Sequence, residues 1–341
     1  MYYTGCDAHK RSCTFQHLDE DGALGLTMKT TSTANGLNAF LDKLDAPTVM
    51  TFEASRGYWW LHQYLSSHPK TTDVIVVDPY RSRRIAEELA VQRGYGRAKN
   101  DRIDSEMLAE QTRLGIAPSI RVPSPEQLKR RTVCRHRFEL KHKRTVSANL
   151  IHSTLGMHGH AIALRELLNN QNSKARLYEQ LPEYVKLLIE DFISQIALFD
   201  RQISECDRLI EKLLPLSDSQ INLLLTAPGF GPICSRIVVT EIFDIAYFKA
   251  PKSLINYAGL APIEADSDGQ KGIIKLNRHC NYYLKYAFLT AAHAARKHVR
   301  YRRKYELDVK KHGKIRAKIN LARRLAKAVY WMLNRQQPYK Y

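Results

Sequence analysis

The order of segments predicts an α/β domain with a mixed sheet at the N-terminus, followed by long, mainly helical segments. Three observations carry this expectation. Residues 1 to about 30 alternate as strands around the turn Asp19-Glu20-Asp21-Gly22, and strands then alternate with helices as far as Leu114. Gly115-Ile116-Ala117-Pro118 and Pro123-Ser124-Pro125 close that pattern. Beyond them, apolar residues recur at helical spacing.

In chain order, the first stretch is a β-hairpin or three-stranded meander. A helix over 33–44 follows, with Thr31, Ser32 or Thr33 as its capping hydroxyl. A strand ends at Glu53, and a helix covers Tyr58 to Leu65. Val74-Ile75-Val76-Val77 is a buried strand stopped by Pro79. Arg81 to Ala90 and Asp101 to Leu114 complete the domain as helices. Pro125 is placed to start the next helix. That helix is strongly basic, with Arg130, Arg131, Arg135, Arg137, Lys143 and Arg144. Its alternatives are a solvated face and a phosphate-binding face, and the crowding of like charge favours phosphate.

Val185, Ile189, Phe192, Ile196, Phe199, Ile203, Cys206, Ile210 and Leu213 keep a 4-3 spacing, the seam of a coiled coil. It either closes an intramolecular hairpin on the basic helix or pairs two protomers. After Pro215, Leu223 to Ile242 is expected to be a helix-hairpin-helix turning at Pro228-Gly229-Phe230-Gly231-Pro232. Such a turn offers backbone N–H groups of Gly229 and Gly231 to a phosphate; the alternative is a plain helix–helix turn. A polar loop over 265–272 precedes two long helices, the second with a basic face that includes Arg323 and Arg324.

Lys and Arg number 53 against 34 acids, a net charge of +19, which favours a nucleic-acid partner. Six cysteines without a C-x-x-C pair read as reduced structural thiols. No apolar run reaches the ~18 residues of a membrane span, and the N-terminus lacks signal-peptide features. The expectation is a cytoplasmic, nucleoid-associated protein with no membrane partner.

Against this excess of basic charge, four acids stand out. Asp7 and Glu53 fall at strand ends, and Asp101 and Asp104 lie three apart at a helix start. The last two share a helix face. Carboxylates gathered from strand ends and a helix suit Mg²⁺, a hard cation that keeps water and phosphate in its shell. Alone, each acid reads as a cap or surface residue. His9 and Lys10 beside Asp7 read either as phosphate contacts or as surface residues.

The residues Gly5-Cys6-Asp7-Ala8-His9-Lys10, Phe52-Glu53-Ala54-Ser55 and Asn100-Asp101-Arg102-Ile103-Asp104 resemble the DEDD motif of RuvC-like transposases of the IS110 family, to which the Piv DNA invertases are related. Pro228-Gly229-Phe230-Gly231-Pro232 and the stretch Phe248 to Pro262 are similar to that family's second block, so the resemblance covers essentially the whole chain. It implies a RuvC-like (RNase H fold) domain over 1–122, a basic helix and coiled coil over 123–218, and a mainly helical transposase domain over 219–341. It further implies a nucleophilic serine in the loop after Gly259-Leu260-Ala261-Pro262, which selects Ser267. Metal ions on the acids would activate that serine in a composite site of the two domains. The partners it implies are donor and target double-stranded DNA, a guide (bridge) RNA, and further copies of the chain in a dimer or tetramer. Lys10, Lys275 and Arg278 join the basic residues named above as nucleic-acid contacts. Asp268 stands where the family commonly has Gly after the serine, and Arg278-His279-Cys280-Asn281 stands for its Lys-Arg-Gly-Asn step. The rival functions are a RuvC-like junction endonuclease that uses water, and a non-catalytic nucleic-acid scaffold.

Overall fold

The computed structural model describes residues 1–96, 100–263, 275–276 and 280–340. The chain divides into two compact units, Met1–Ser124 and Pro125–Tyr341.

The first unit is a five-stranded mixed sheet in the order β3-β2-β1-β4-β5. β1 (Tyr2–Ala8), β2 (Ser12–Leu18) and β3 (Leu24–Thr31) form the expected antiparallel meander. The β2–β3 turn is held by Asp19, whose Oδ1 accepts from the backbone N–H groups of Asp21 and Ala23 at 3.0 and 2.8 Å. Gly22 takes a left-handed conformation there (φ 83°), which a side chain would disfavour. α1 (Ala34–Leu41) starts at Thr33, whose hydroxyl accepts from Gly36 N–H. β4 (Thr48–Glu53) then returns parallel to β1, and α2 (Tyr58–Ser66) leads to β5 (Thr71–Val77), parallel to β4. Pro79 both ends the strand run and begins α3 (Pro79–Gln92), with Asp78 as the cap. α4 (Asp101–Arg113) is capped by Asn100, whose side chain accepts from Ile103 N–H at 2.9 Å.

The two faces of this sheet differ. On one, Cys6, Phe15, Met50, Phe52 and Val76 pack with Leu37, Phe40, Leu61 and Leu65 of α1 and α2. Phe15 and Phe40 stack at 4.2 Å between centroids. The other face carries Gly5, and α4 lies directly on it. A Cβ on Gly5 would sit 1.8 Å from the Ser105 carbonyl oxygen and 2.7 Å from the Ala109 nitrogen. Only glycine allows the helix to come this close to the strand.

The second unit is almost entirely helical. α5 (Pro125–Met157) and α8 (Glu183–Leu213) run antiparallel against one another, with the short α6 (Leu164–Asn169) and α7 (Gln171–Glu179) at their far end. The heptad pattern is realised here as one buried line: Val185, Ile189, Ile196, Ile203 and Ile210 are buried, while Phe192, Phe199, Cys206 and Leu213 are half-buried. α9 (Ser219–Leu225) and α10 (Pro232–Ile242) follow, then a 3-10 turn and α11 (Pro251–Tyr257). β6 (Pro262–Ile263) and β7 (Lys275–Leu276) form a two-stranded antiparallel pair. α12 (Tyr282–Ala295) and α13 (Val299–Arg335) close the unit, and α13 is broken at Gly313 (φ 81°). Their contact is built on alanine: Ala287, Ala291, Ala292, Ala317, Ala322 and Ala326 are fully buried. Among the described residues, no helix is long and apolar enough to cross a membrane.

Candidate metal centre and basic surfaces

The acidic site is assembled by the close approach at Gly5. Side chains at i and i+2 of a strand share a face, so Asp7 points to the same side as Gly5, under α4. Cys6 pairs with Phe52 in the parallel register, so Glu53 follows on β4 as Asp7 follows on β1. Thr51, two residues before Glu53, meets Thr112 of α4 at 2.5 Å between hydroxyl oxygens, which fixes that face of β4 toward the helix as well. The first turn of α4 then delivers Asp101 and Asp104. Acids there also suit the positive end of the helix dipole.

Asp7, His9 and Asp101 converge: one ligand atom from each lies within 4.8 Å of the others. His9, in the β1–β2 turn, places Nε2 3.1 Å from Asp7 Oδ2 and 3.5 Å from Asp101 Oδ1. The other oxygen of Asp101 is 2.7 Å from Lys29 Nζ. Burial holds the Asp7 carboxyl above the usual carboxylate range, helped by the charges of Asp104 and Asp101 and opposed by His9. Asp101 is held below that range, chiefly by its hydrogen bond from Lys29. Asp7 is thus short of positive charge, whereas Asp101 already has the ammonium of Lys29. Two carboxylates and an imidazole within one ion's reach make a donor set that could hold a divalent cation, the oxygens suiting Mg²⁺ and the imidazole widening the choice to Mn²⁺. Asp7 and Asp101, singled out from the sequence, thus belong to the cluster, and the charge of Asp104 is felt at Asp7. The sequence offers His9 as a phosphate contact or a surface residue and does not mark Lys29. His9 was within reach of sequence reasoning, two residues from Asp7; Lys29 reaches Asp101 from 72 residues away.

The basic helix α5 is sorted by the fold. Its arginines find carboxylates inside the second unit. Arg135 donates through Nε and Nη2 to both oxygens of Glu241, each at 2.7 Å. Arg131 joins the same carboxylate at 3.3 Å and stacks on the Phe243 ring. Arg137 grips Asp207 and Arg144 grips Asp200, both bidentate and both reaching α8. Arg130 pairs with Glu126 one turn earlier. Lys129, His136, Lys141, His142 and Lys143 remain exposed. Glu241 itself is 2% exposed and also accepts from Asn281 Nδ2 at 2.7 Å. Burying that charge costs several kcal/mol unless partners surround it; here two guanidiniums and an amide do. Asn281 at the same time caps α12, accepting from Leu284 N–H at 3.0 Å.

At the Gly-rich turn the two glycines have different surroundings. Gly229 (φ 86°) faces α12, where a Cβ would sit 2.1 Å from the Ala291 carbonyl oxygen, whereas Gly231 opens onto free space at the start of α10. Arg323 donates to the Leu260 carbonyl at 2.6 Å and Arg324 to Asp308 at 2.8 Å. Lys10 is exposed. Ser267 and Arg278 lie outside the described residues, and of Lys275 only the strand backbone is described.

A transposase family model of the DEDD, IS110 type matches residues 4–158, the stretch that carries all four acids. A second model, for transposases of the IS116/IS110/IS902 family, matches residues 221–306. An uncharacterized insertion element IS116 protein of Streptomyces clavuligerus is 28% identical over 148 residues, 43% of this chain and 37% of that protein. The transposase for insertion sequence element IS1111A of Coxiella burnetii is 22% identical over 258 residues, 71% of this chain and 68% of its own length. The transposase for IS1328 of Yersinia enterocolitica is 24% identical over 183 residues, 53% of this chain and 54% of its own length. The chain therefore spans between about a third and two thirds of these relatives. With the two models matching residues 4–158 and 221–306 and the same family in both, the chain belongs to the IS110/IS116 family of transposase-related proteins.

Proposed function

We propose that the chain is the DNA transposase/recombinase of an insertion sequence, cutting and rejoining DNA through a serine–phosphate covalent intermediate. Asp7, Glu53, Asp101 and Asp104 hold Mg²⁺, and Ser267 is the nucleophile. A divalent cation there would supply Lewis-acid polarisation of a DNA phosphate and charge neutralisation in the transition state. The observation that carries this reading is the gathering of Asp7, His9 and Asp101 under the first turn of α4 in a strongly basic chain. Oxygen ligands crowded to this degree repel unless a cation joins them.

The remaining roles follow the same reading. Residues 1–122 are the RuvC-like catalytic domain, 123–218 the basic helix and coiled coil, and 219–341 the transposase domain with a helix-hairpin-helix. Donor and target duplexes and a guide RNA bind through backbone contacts from Lys10, Arg130, Lys143, Gly231, Lys275 and Arg278, with exposed Lys129 and Lys141 beside them. Arg131, Arg135, Arg137, Arg144, Arg323 and Arg324 set the shape of that surface from within and contribute positive potential to it. A dimer or tetramer acts inside the cell.

Mass spectrometry of a stalled DNA reaction tests the chemistry. The expected result is a phosphopeptide adduct at Ser267, lost in Ser267→Ala, with Asp104→Ala abolishing all strand cleavage. Efficient cleavage by Ser267→Ala without an adduct would instead establish hydrolysis by water, and activity untouched by Asp104→Ala would leave a binding scaffold.

A further inference from the structure

Lys29 sets a strong positive charge against Asp101 of the site, which the imidazole of His9 also meets. Its place is set by the sheet register. Asp7 pairs with Thr14 on β2, and Thr14 pairs with Lys29 on β3, so the three side chains form one row across the face that α4 covers. The middle of the row is unusual. Thr14 is 5% exposed, yet its hydroxyl oxygen has no hydrogen-bond partner. A buried hydroxyl left in that state costs free energy until a ligand or water meets it. At the end of the row Lys29 is different: its side chain is 60% exposed, on the edge strand, so it is free to swing outward. Asp101 is meanwhile fully engaged, Oδ1 by His9 and Oδ2 by Lys29.

We propose that Lys29 is the exchangeable cation of this site: it occupies Asp101 until a divalent ion takes that carboxylate, and then binds a non-bridging oxygen of the substrate phosphate. The inference rests on the reading of Asp7 and Asp101 as metal ligands. The physical reason is competition. An ammonium and a divalent cation on one carboxylate repel at short range in a partly desolvated site. Once displaced, Lys29 stands beside the metal with three donors and no acceptor, and a phosphate oxygen is the partner that site is built to receive. Metal-free protein is thereby kept from repelling DNA at its own acids, and metal affinity is coupled to the presence of DNA. By linkage the coupling is reciprocal.

Calorimetric titration of Mn²⁺ into the full-length protein, alone and with a mixed-sequence DNA duplex, tests this. Lys29→Met should bind Mn²⁺ about tenfold more tightly than wild type without DNA, an ordinary coupling between sites. The gain in Mn²⁺ affinity that DNA gives the wild type should shrink in Lys29→Met by the same factor, and Lys29→Arg, which keeps the competing charge, should behave as wild type. A lysine that merely braces Asp101 predicts the opposite sign. Lys29→Met with unchanged or weakened Mn²⁺ binding, at a wild-type melting temperature, would overturn the proposal while leaving the metal reading intact. Asp101→Asn separates the two: if it binds Mn²⁺ as tightly as wild type, the metal reading itself fails. Should Lys29→Met not fold, Lys29→Gln carries the same comparison.

Discussion

Gly5 is the residue on which the acidic site turns. A methyl group there would overlap the Ser105 carbonyl, which is backbone and cannot move without moving α4. Overpacking of this kind costs about 1–3 kcal/mol or more, and the helix that would shift carries Asp101 and Asp104. Gly5→Ala is expected to lower stability by at least that amount in denaturant titration and to weaken Mn²⁺ binding at the same time. A substitution of equal cost far from α4 should leave Mn²⁺ binding untouched. At this scale the sequence showed the acids, because their residue types and spacing are visible locally. It did not show Lys29, because nothing near residue 29 marks it; the row Asp7–Thr14–Lys29 exists only once β1, β2 and β3 pair in register.

Among the elements, α5 and α8 show how far periodicity reaches. The heptad spacing of α8 was legible and the antiparallel partner was one of its two readings. The structure packs the buried line on α5, with Arg137–Asp207 and Arg144–Asp200 as rungs beside it. Ile189 is fully buried, whereas neighbouring Leu187 is 64% exposed. Ile189→Ala should cost about 2–5 kcal/mol, and Leu187→Ala should stay within about 0.5 kcal/mol of wild type, as read by chemical denaturation. Equal effects would mean that the helix is turned differently about its axis. The basic run on α5 was legible only as charge. Which cations face carboxylates and which face solvent depends on where α8 and α10 carry their acids, and Glu241 lies more than a hundred residues from Arg135.

For the whole molecule, the surplus of 53 basic over 34 acidic residues predicts binding to duplex DNA that falls steeply with salt. Phosphate contacts release condensed counterions, and a protein making several of them loses about 10³–10⁵ in affinity between roughly 50 and 200 mM salt. Fluorescence anisotropy over that range should give a linear log–log plot. Lys143→Ala should lower its slope by about one contact, and Arg137→Ala, whose guanidinium is engaged by Asp207, should change it less.

By itself the sequence determined the α/β order of the first unit, the helical character of the second, the four acids and the family, because strand alternation, heptads, turn residues and motif spacing are local properties of the chain. Tertiary structure alone decided that Asp7 meets His9 and Asp101, that Lys29 holds the second oxygen of Asp101, that Gly229 faces α12, and that the arginines of α5 turn to carboxylates. Apart from Asp7–His9 and Arg130–Glu126, these are contacts between residues far apart in the chain. Such contacts are set by strand register, by the closest approach of one backbone to another, and by the need to neutralise charge that folding removes from water.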